Sequence, residues 1–353
     1  MDFTTQMQVP RIVFAEGALA RLPDELARLG PGNALLIATP RRNLVVEQVR
    51  DALGSRFSGV FPHAAMHVPA ETVRAAVNEA RRIRADCLVA IGGGSPLGLA
   101  KAVAREMDVP IVAIPTTYAG SEMTSIFGIT ESARKTTGRD PRVLPKVVIY
   151  DPLLSVDLPV TTSVSSGFNA MAHAVEGMYA ADASPLTSLL AAGAVRALKK
   201  GLLQVSSDPH NLAGRADCLY GAALAGIVLG SVSMGLHHQL CHVLGGTYNL
   251  LHAELHAVLL PHVLSYNAPA APAAAESIAG ALDCRDAALE LHTLAGQLEI
   301  PRNLQALGVP PEALHDVAVQ VAARPYMNPR LPTENEVLDL LQRAYIGNAP
   351  GGW

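Results

Sequence analysis

Several common handles are scarce in this chain. Aromatic residues make up 4 % of it, with a single Trp, and there are four cysteines. Cys87, Cys218, Cys241 and Cys284 are widely spaced in apolar segments and form no CxxC pair. That spacing excludes a small disulfide-framed domain and points to reduced thiols in a cytoplasm. Charge is thin too: 16 % of residues are charged, the net charge is −4, and no basic run occurs. Nothing here would attract a polyanion, so no nucleic-acid partner is expected. The start of the chain has no basic segment leading into a long apolar one, so no signal peptide is expected. Apolar stretches are broken by Gly, Pro, His or charge before about 18 residues, so no membrane span is expected.

What remains is an aliphatic chain of 353 residues, half of them hydrophobic, long enough for two domains. The first part alternates short buried-type runs with helical patterns. Runs at 6–14, Asn33–Thr39, Val60–His67, Asp86–Ile91 and Pro110–Pro115 read as strands. Spacing at Gly17–Leu29, 43–53, Glu71–Arg84 and 97–106 reads as helix. Such alternation predicts a parallel sheet covered on both faces. Residues 126–149 read as a hairpin-like excursion with Arg134, Lys135 and Arg139 near its turn, ending in a strand at Val147–Ile149. Beyond Leu158–Pro159 only Ala/Leu-rich helices follow. The expected division is therefore an α/β Rossmann-like domain over 1–158 and an all-α domain over 159–353.

Ile91-Gly92-Gly93-Gly94-Ser95 runs from a predicted strand into a predicted helix. Glycines let a backbone approach a phosphate closely, and free N–H groups at a helix start attract anions. The loop is neither G-x-G-x-x-G nor a Walker motif, so by itself it indicates a phosphate or a dinucleotide. Thr116, Thr117, Tyr118 and Ser121 follow the next strand, where ligands of open parallel sheets bind; a capped loop is the plainer reading. Thr39 occupies the place after an early strand where an acid often bonds ribose hydroxyls. Without that acid a 2′-phosphate is not repelled, and Arg41 or Arg42 could attract one.

The densest feature is Gly235–Asn267, which holds six of the twelve histidines: His237, His238, His242, His252, His256 and His262. Imidazole binds metals and moves protons near neutral pH. His238 and His242 share a helix face. Gly245-Gly246 reads as a turn before a second helix, so His238, His242 and His252 could meet at one pocket. The plainer alternative is a packed helix pair with scattered histidines.

Together, Gly92-Gly-Gly-Ser95 with Ala100-Lys101-Ala102, Ile114-Pro-Thr-Thr117 with Gly120-Ser-Glu122, Lys146-Val-Val-Ile-Tyr-Asp-Pro152, the Asn169–Glu176 helix, the histidine stretch and Asn328-Pro-Arg330 resemble the iron-containing alcohol dehydrogenase superfamily over almost the whole chain. The resemblance implies the dehydroquinate synthase-like, iron-type alcohol dehydrogenase fold and a nicotinamide cofactor at Thr39, Gly92, Gly93, Gly94, Ser95, Thr116, Thr117, Ser121 and Lys146. The family binds a divalent metal through Asp-x-x-x-His and two later histidines, positions matched here by Asn169, His173, His238 and His252. An amide in place of the carboxylate removes a negative charge from that site. Gly98 stands where the family usually has Asp, and His256 where it has Asn. These departures are similar to the branch of maleylacetate reductases.

That branch implies reduction of maleylacetate to 3-oxoadipate with NADH or NADPH, with no metal required. It points to His173, His238, His242, His252, Asn169 and Tyr118 as catalytic, and to His256 and Arg324 for substrate carboxylates. The plainer reading of Arg324 and Arg330, as helix-end or surface charges, is the preferred one. A cytoplasmic homodimer acting on a small molecule is expected. The rival readings are a metal-dependent alcohol dehydrogenase that tolerates Asn169, a dehydroquinate-synthase-like lyase, and a non-catalytic NAD-binding protein.

Overall fold

A computed structural model describes residues 3–40, 44–131, 134–248, 250 and 252–353, and of residues 134, 135, 252 and 253 the backbone alone. The chain divides into two compact units, one of Gln8–Leu158 and one of Met1–Met7 with Pro159–Trp353.

In the first unit the order is β1 (Arg11–Phe14), α1 (Leu22–Leu29), β2 (Ala34–Ile37), α2 (Leu44–Leu53), β3 (Phe57–Phe61), α3 (Ala70–Arg82), β4 (Cys87–Gly92), α4 (Gly94–Met107), β5 (Ile111–Pro115), a hairpin of β6 (Ile126–Glu131) and β7 (Arg134–Arg139), and β8 (Val147–Tyr150). Six strands form one sheet in the order β1-β8-β5-β4-β2-β3, every pair parallel, while β6 and β7 pair antiparallel. Alternate strand residues face opposite ways. Leu36, Val89, Val112 and Ile149 pack with Leu22 and Leu26 of α1 and Val49 of α2. The intervening Leu35, Leu88 and Ala113 are equally buried, and α4 packs on β2, β4 and β5. A sheet buried on both faces accounts for the uninterrupted apolar runs.

Differences from the sequence reading are local. The strand expected at Val60–His67 is Phe57–Phe61, because the chain turns at His67 and Val68, both at positive φ. The first strand is shorter than 6–14. The segment before α1 is a 3-10 turn, Ala18–Arg21. Helix α4 begins at Gly94 rather than 97, so the glycine loop itself enters the helix. Arg41 and Arg42, and the side chains of Arg134 and Lys135, lie outside the described residues.

The second unit is helical: α5 (Val160–Met178), α6 (Pro185–Ser207), α7 (Leu212–Ser231), α8 (Leu236–Tyr248), α9 (His252–Asn267), α10 (Pro272–Leu282), α11 (Ala287–Gln297), α12 (Ala313–Ala322) and α13 (Glu334–Ile346). Helices α5, α6 and α7 pack on one another, and α9 contacts both α5 and α8. A core of Leu240, Leu244, Leu259, Val317 and Leu340 joins α8, α9, α12 and α13. Against expectation, Gly245 and Gly246 do not end α8, which continues to Tyr248. Glycine costs a helix about 1 kcal/mol per residue, a loss that burial of Val243 and Leu244 on the same turn offsets. Among the described residues one helix, α7, is long and apolar enough to cross a bilayer, and 67 % of its most apolar window is buried inside the fold.

Candidate active site

The helical unit gathers its histidines from three helices. Helix α5 starts after Pro159, and the Ser163 and Ser166 hydroxyls bond back into its first turns, donating to the Pro159 and Thr162 carbonyls. Asn169, His173 and Glu176 recur at helical spacing and so share a face. His173 and Glu176 are buried, and Asn169 is half-buried. His237, His238, Cys241 and His242 come from α8, and His256 from α9.

Ring centroids place His238 at 5.2 Å from His173, stacked, 4.9 Å from His256 and 6.1 Å from His242. His237 lies 4.8 Å from His256, and its Nε2 is hydrogen-bonded to His256 Nδ1 at 2.7 Å. His238 Nδ1 contacts Glu176 Oε2, and the His237 backbone N–H donates to Glu176 Oε1 at 2.8 Å. Among the described residues, Nδ1 of His173, Nδ1 of His237 and Nε2 of His238 are buried without a hydrogen-bond partner. Burial, reinforced by neighbouring histidines, pushes His173 and His237 well below the usual imidazole range. Both are therefore neutral at pH 7.

His173, His238, His242 and His256 are thus brought together, with His242 exposed. His252 opens α9, but its side chain lies outside the described residues. Arg324 is not brought into this set: it is exposed on the bend after α12. Arg330 stacks over Tyr266 and pairs with Glu336, a structural role. Tyr118 is fully buried after β5, in the packing of its loop, and presents no surface to a substrate. Sequence reasoning passed over Glu176 and His237 as site residues. A Glu three residues after a His reads as a surface charge, although its i+7 spacing from Asn169 was the available signal.

Two metal sets can be weighed against these donors. At the family's metal position the described donors are two imidazoles and an amide, without the carboxylate, and this neutral set does not fit the ion as the family holds it. His237, Cys241 and His256 bring three ligand atoms within 4.8 Å. Their two nitrogens, however, sit at hydrogen-bond distance, tighter than the roughly 3.3 Å expected of two nitrogens on one tetrahedral ion, so this group is satisfied as a bonded imidazole pair.

The α/β unit presents a separate constellation. From β2 the chain leaves toward β3, and from β4 it leaves the other way, toward β5. Ligands of open sheets bind at such a reversal, beyond the carboxyl ends of the strands. Thr39 follows β2 there, and Gly92–Ser95 follow β4. Gly92 has φ +129° and Gly93 caps α4. A Cβ on Gly93 would come within 2.9 Å of Thr117, whereas one on Gly94 would meet nothing within 4 Å. The backbone is thus open on the Gly94 side, where the first N–H groups of α4 are free for an anion. A small recess lies here, lined by Gly92, Gly93, Thr117, Ala119 and Glu122 among others. Thr116 N–H donates to the Gly92 carbonyl at 3.0 Å. Ser121 takes part through its carbonyl, which accepts from Lys101 at 2.7 Å.

Lys146 does not join this group. It precedes β8, level with Ile111 and Leu88 in the parallel register. Gly92 is four residues further up β4, roughly 13 Å at strand rise. Lys146 therefore marks the opposite edge of the sheet, and sequence order alone did not show which end of the strand it would take.

Comparison with known proteins agrees with this organisation. The iron-containing alcohol dehydrogenase model matches residues 10–152, and the C-terminal model of the Fe-containing alcohol dehydrogenase family matches 163–345. Maleylacetate reductase of Burkholderia cepacia is 50 % identical over 348 residues, 99 % of each chain. That of Sphingobium indicum is 47 % identical over 350 residues, again 99 % of each. The crystal structure of maleylacetate reductase from Agrobacterium tumefaciens aligns with a TM-score of 0.96 at 45 % identity, covering 99 % of this chain and 100 % of that one. The chain belongs to the iron-containing alcohol dehydrogenase family, is an oxidoreductase, and stands in that family among the maleylacetate reductases.

Proposed function

We propose that this enzyme reduces the C=C bond of maleylacetate to give 3-oxoadipate, with NADH or NADPH as reductant and without a divalent metal. The observation that carries the proposal is the cluster of His173, His238 and His256, with Asn169 where a metal-binding carboxylate would stand. Gly92, Gly93, Gly94 and Ser95 would hold the cofactor pyrophosphate, with Thr39, Thr116 and Thr117 nearby. A bound reduced nicotinamide supplies a hydride. Absence of an acid at Thr39 leaves both cofactors acceptable.

The substrate, 4-oxohex-2-enedioate, takes the hydride at the alkene carbon β to its ketone. Negative charge then develops on the ketone oxygen, and one proton must reach the carbon α to it. Preorganised N–H donors stabilise such an oxyanion. We assign that task to His252 or, as an imidazolium donating through Nε2–H, to His238, with the Asn169 amide as a second donor, and proton delivery to a neighbouring histidine, His242 or His256. Positioned proton transfer of this kind contributes roughly 10²–10⁴ in rate. The reading carries with it a cytoplasmic homodimer, as the resemblance implies.

The test is NADH oxidation with freshly generated maleylacetate after exhaustive EDTA dialysis, with metal content measured on the same sample. Full activity without stoichiometric metal is expected. Activity lost with EDTA and restored by Fe²⁺ or Zn²⁺ would overturn the metal-free reading in favour of a metal-dependent dehydrogenase. So would an Asn169→Asp variant that is more active and metal-dependent.

A further inference from the structure

We propose that Glu176 is a positioning residue for the reaction: its carboxylate fixes the His238 ring with the proton on Nδ1, leaving Nε2 as the atom that acts. This rests on the reading of His238 as a reacting group.

Glu176 lies three residues after His173 on α5 and is 1 % exposed. Its Oε1 accepts the backbone N–H of His237 at 2.8 Å. Its Oε2 faces the backbone N–H of His238 at 3.4 Å and contacts the ring Nδ1 of the same residue. Each oxygen thus already faces a backbone donor, and the ring contact is assigned as Nδ1–H donating to Oε2. A carboxylate that accepts from one ring nitrogen sets the tautomer and orientation of the imidazole and defines the role of the other nitrogen. That other atom, Nε2 of His238, is buried and has no hydrogen-bond partner among the described residues. It is the one nitrogen of this ring left to meet a substrate.

The local backbone is shaped to admit this contact. A Cβ at Gly235 would come within 2.8 Å of the Met327 carbonyl, 2.9 Å of Asn328 Oδ1 and 3.4 Å of Glu176 Oε1. Asn328 Oδ1 in turn accepts the N–H of Leu236 at 3.3 Å, and its amide bonds Asn267 and the Arg330 carbonyl, each at 2.7 Å. The Asn328–Arg330 segment thereby anchors the first turn of α8, where His237 and His238 begin, against Glu176. Glu176 touches neither cofactor nor reacting atoms in this scheme; it acts through His238.

The experiment combines ¹⁵N-histidine spectra of the full-length enzyme with steady-state kinetics. His238 signals are assigned by their loss in His238→Gln. In the parent enzyme the neutral ring is expected as the Nδ1–H tautomer. Glu176→Gln places an amide group able to donate toward Nδ1, so the ring should change to the Nε2–H tautomer. With it, kcat should fall by roughly 10²–10³, while NADH affinity stays within about twofold. Glu176→Asp keeps the carboxylate and should retain the parent tautomer and more of kcat than Gln does, which separates positioning from folding. An Nε2–H tautomer in the parent enzyme, or a Glu176→Gln variant keeping kcat within about threefold, would overturn the proposal. Should the parent enzyme not reduce maleylacetate, the proposed function fails while the spectra still decide the tautomer.

Discussion

Single residues show where this chain departs from its family and why it holds the departure. Gly98 takes the place of the usual Asp, and a Cβ there would stand 2.8 Å from Val68 Cγ2. Val68 cannot easily retreat. It sits at φ +51°, rare for a β-branched residue, and is tied by Thr130, whose N–H donates to the Val68 carbonyl at 3.0 Å and whose hydroxyl donates to the His67 carbonyl at 2.8 Å. Restoring the family residue with Gly98→Asp should therefore overpack the first turns of α4. We expect a loss of about 2 kcal/mol in urea unfolding and weaker NADH binding by fluorescence titration. Adding Val68→Ala should recover about 1 kcal/mol of it; no recovery would place the strain elsewhere. Legibility at this scale was uneven. Density and spacing exposed His238 and His242, because several imidazoles at helical intervals seldom serve packing alone, whereas His173 and His256 were singled out through the family resemblance. Glu176 was not legible, because a carboxylate in an amphipathic pattern is ordinarily solvated, and only the packing of α5 reveals it as buried.

Among the elements, the parallel strands were legible because burial on both faces leaves continuous apolar runs, as in Ala34–Ile37 and Cys87–Ile91. What sequence order could not supply was polarity across the sheet, and so Lys146 was assigned to the wrong edge. Lys101 stands in the sequence only as part of a motif, yet it organises the segment after β5. Its ammonium donates to the carbonyls of Ser121 at 2.7 Å, Thr124 at 2.7 Å and Ile126 at 2.9 Å, with Thr124 Oγ1 at 3.1 Å. Burial pushes Lys101 down to about 7, with Glu122 pulling the other way. The same burial raises Glu122, which accepts from the Tyr150 hydroxyl at 2.7 Å. One side chain on α4 thus pins the chain between the recess and β6. Lys101→Met would leave three carbonyls without this donor, and a buried unsatisfied acceptor costs about 1–3 kcal/mol. We expect a loss of about 3 kcal/mol in urea unfolding, together with faster proteolysis near residues 121–126. A variant as stable as the parent would show that other donors replace the ammonium.

Across the whole molecule the buried titratable groups are distributed unequally. His173, His237 and His262 all lie in the helical unit, and burial lowers all three, His262 to about 4. An imidazole held neutral in the folded state but titrating near 6.5 when unfolded makes the unfolded chain bind more protons between those values. Stability from such a group is complete above pH 6.5 and is lost as pH falls toward the folded pKa. For His262 alone the loss is roughly 3 kcal/mol. Glu122, in the α/β unit, has the opposite sign: a raised carboxyl binds its proton earlier in the folded state, so acid does not weaken that unit through it. Acidification should accordingly open the helical unit first. The single tryptophan, Trp353, reports on it, lying 5.0 Å from the Tyr266 ring with Arg343 over its own at 4.8 Å. Between pH 6.5 and 4, Trp emission should red-shift before the amides of β2, β4 and β5 lose protection in hydrogen exchange. His262→Gln should flatten the early part of that transition. Simultaneous loss of both signals, or strand amides exposed first, would contradict the assignment of acid sensitivity to the buried histidines.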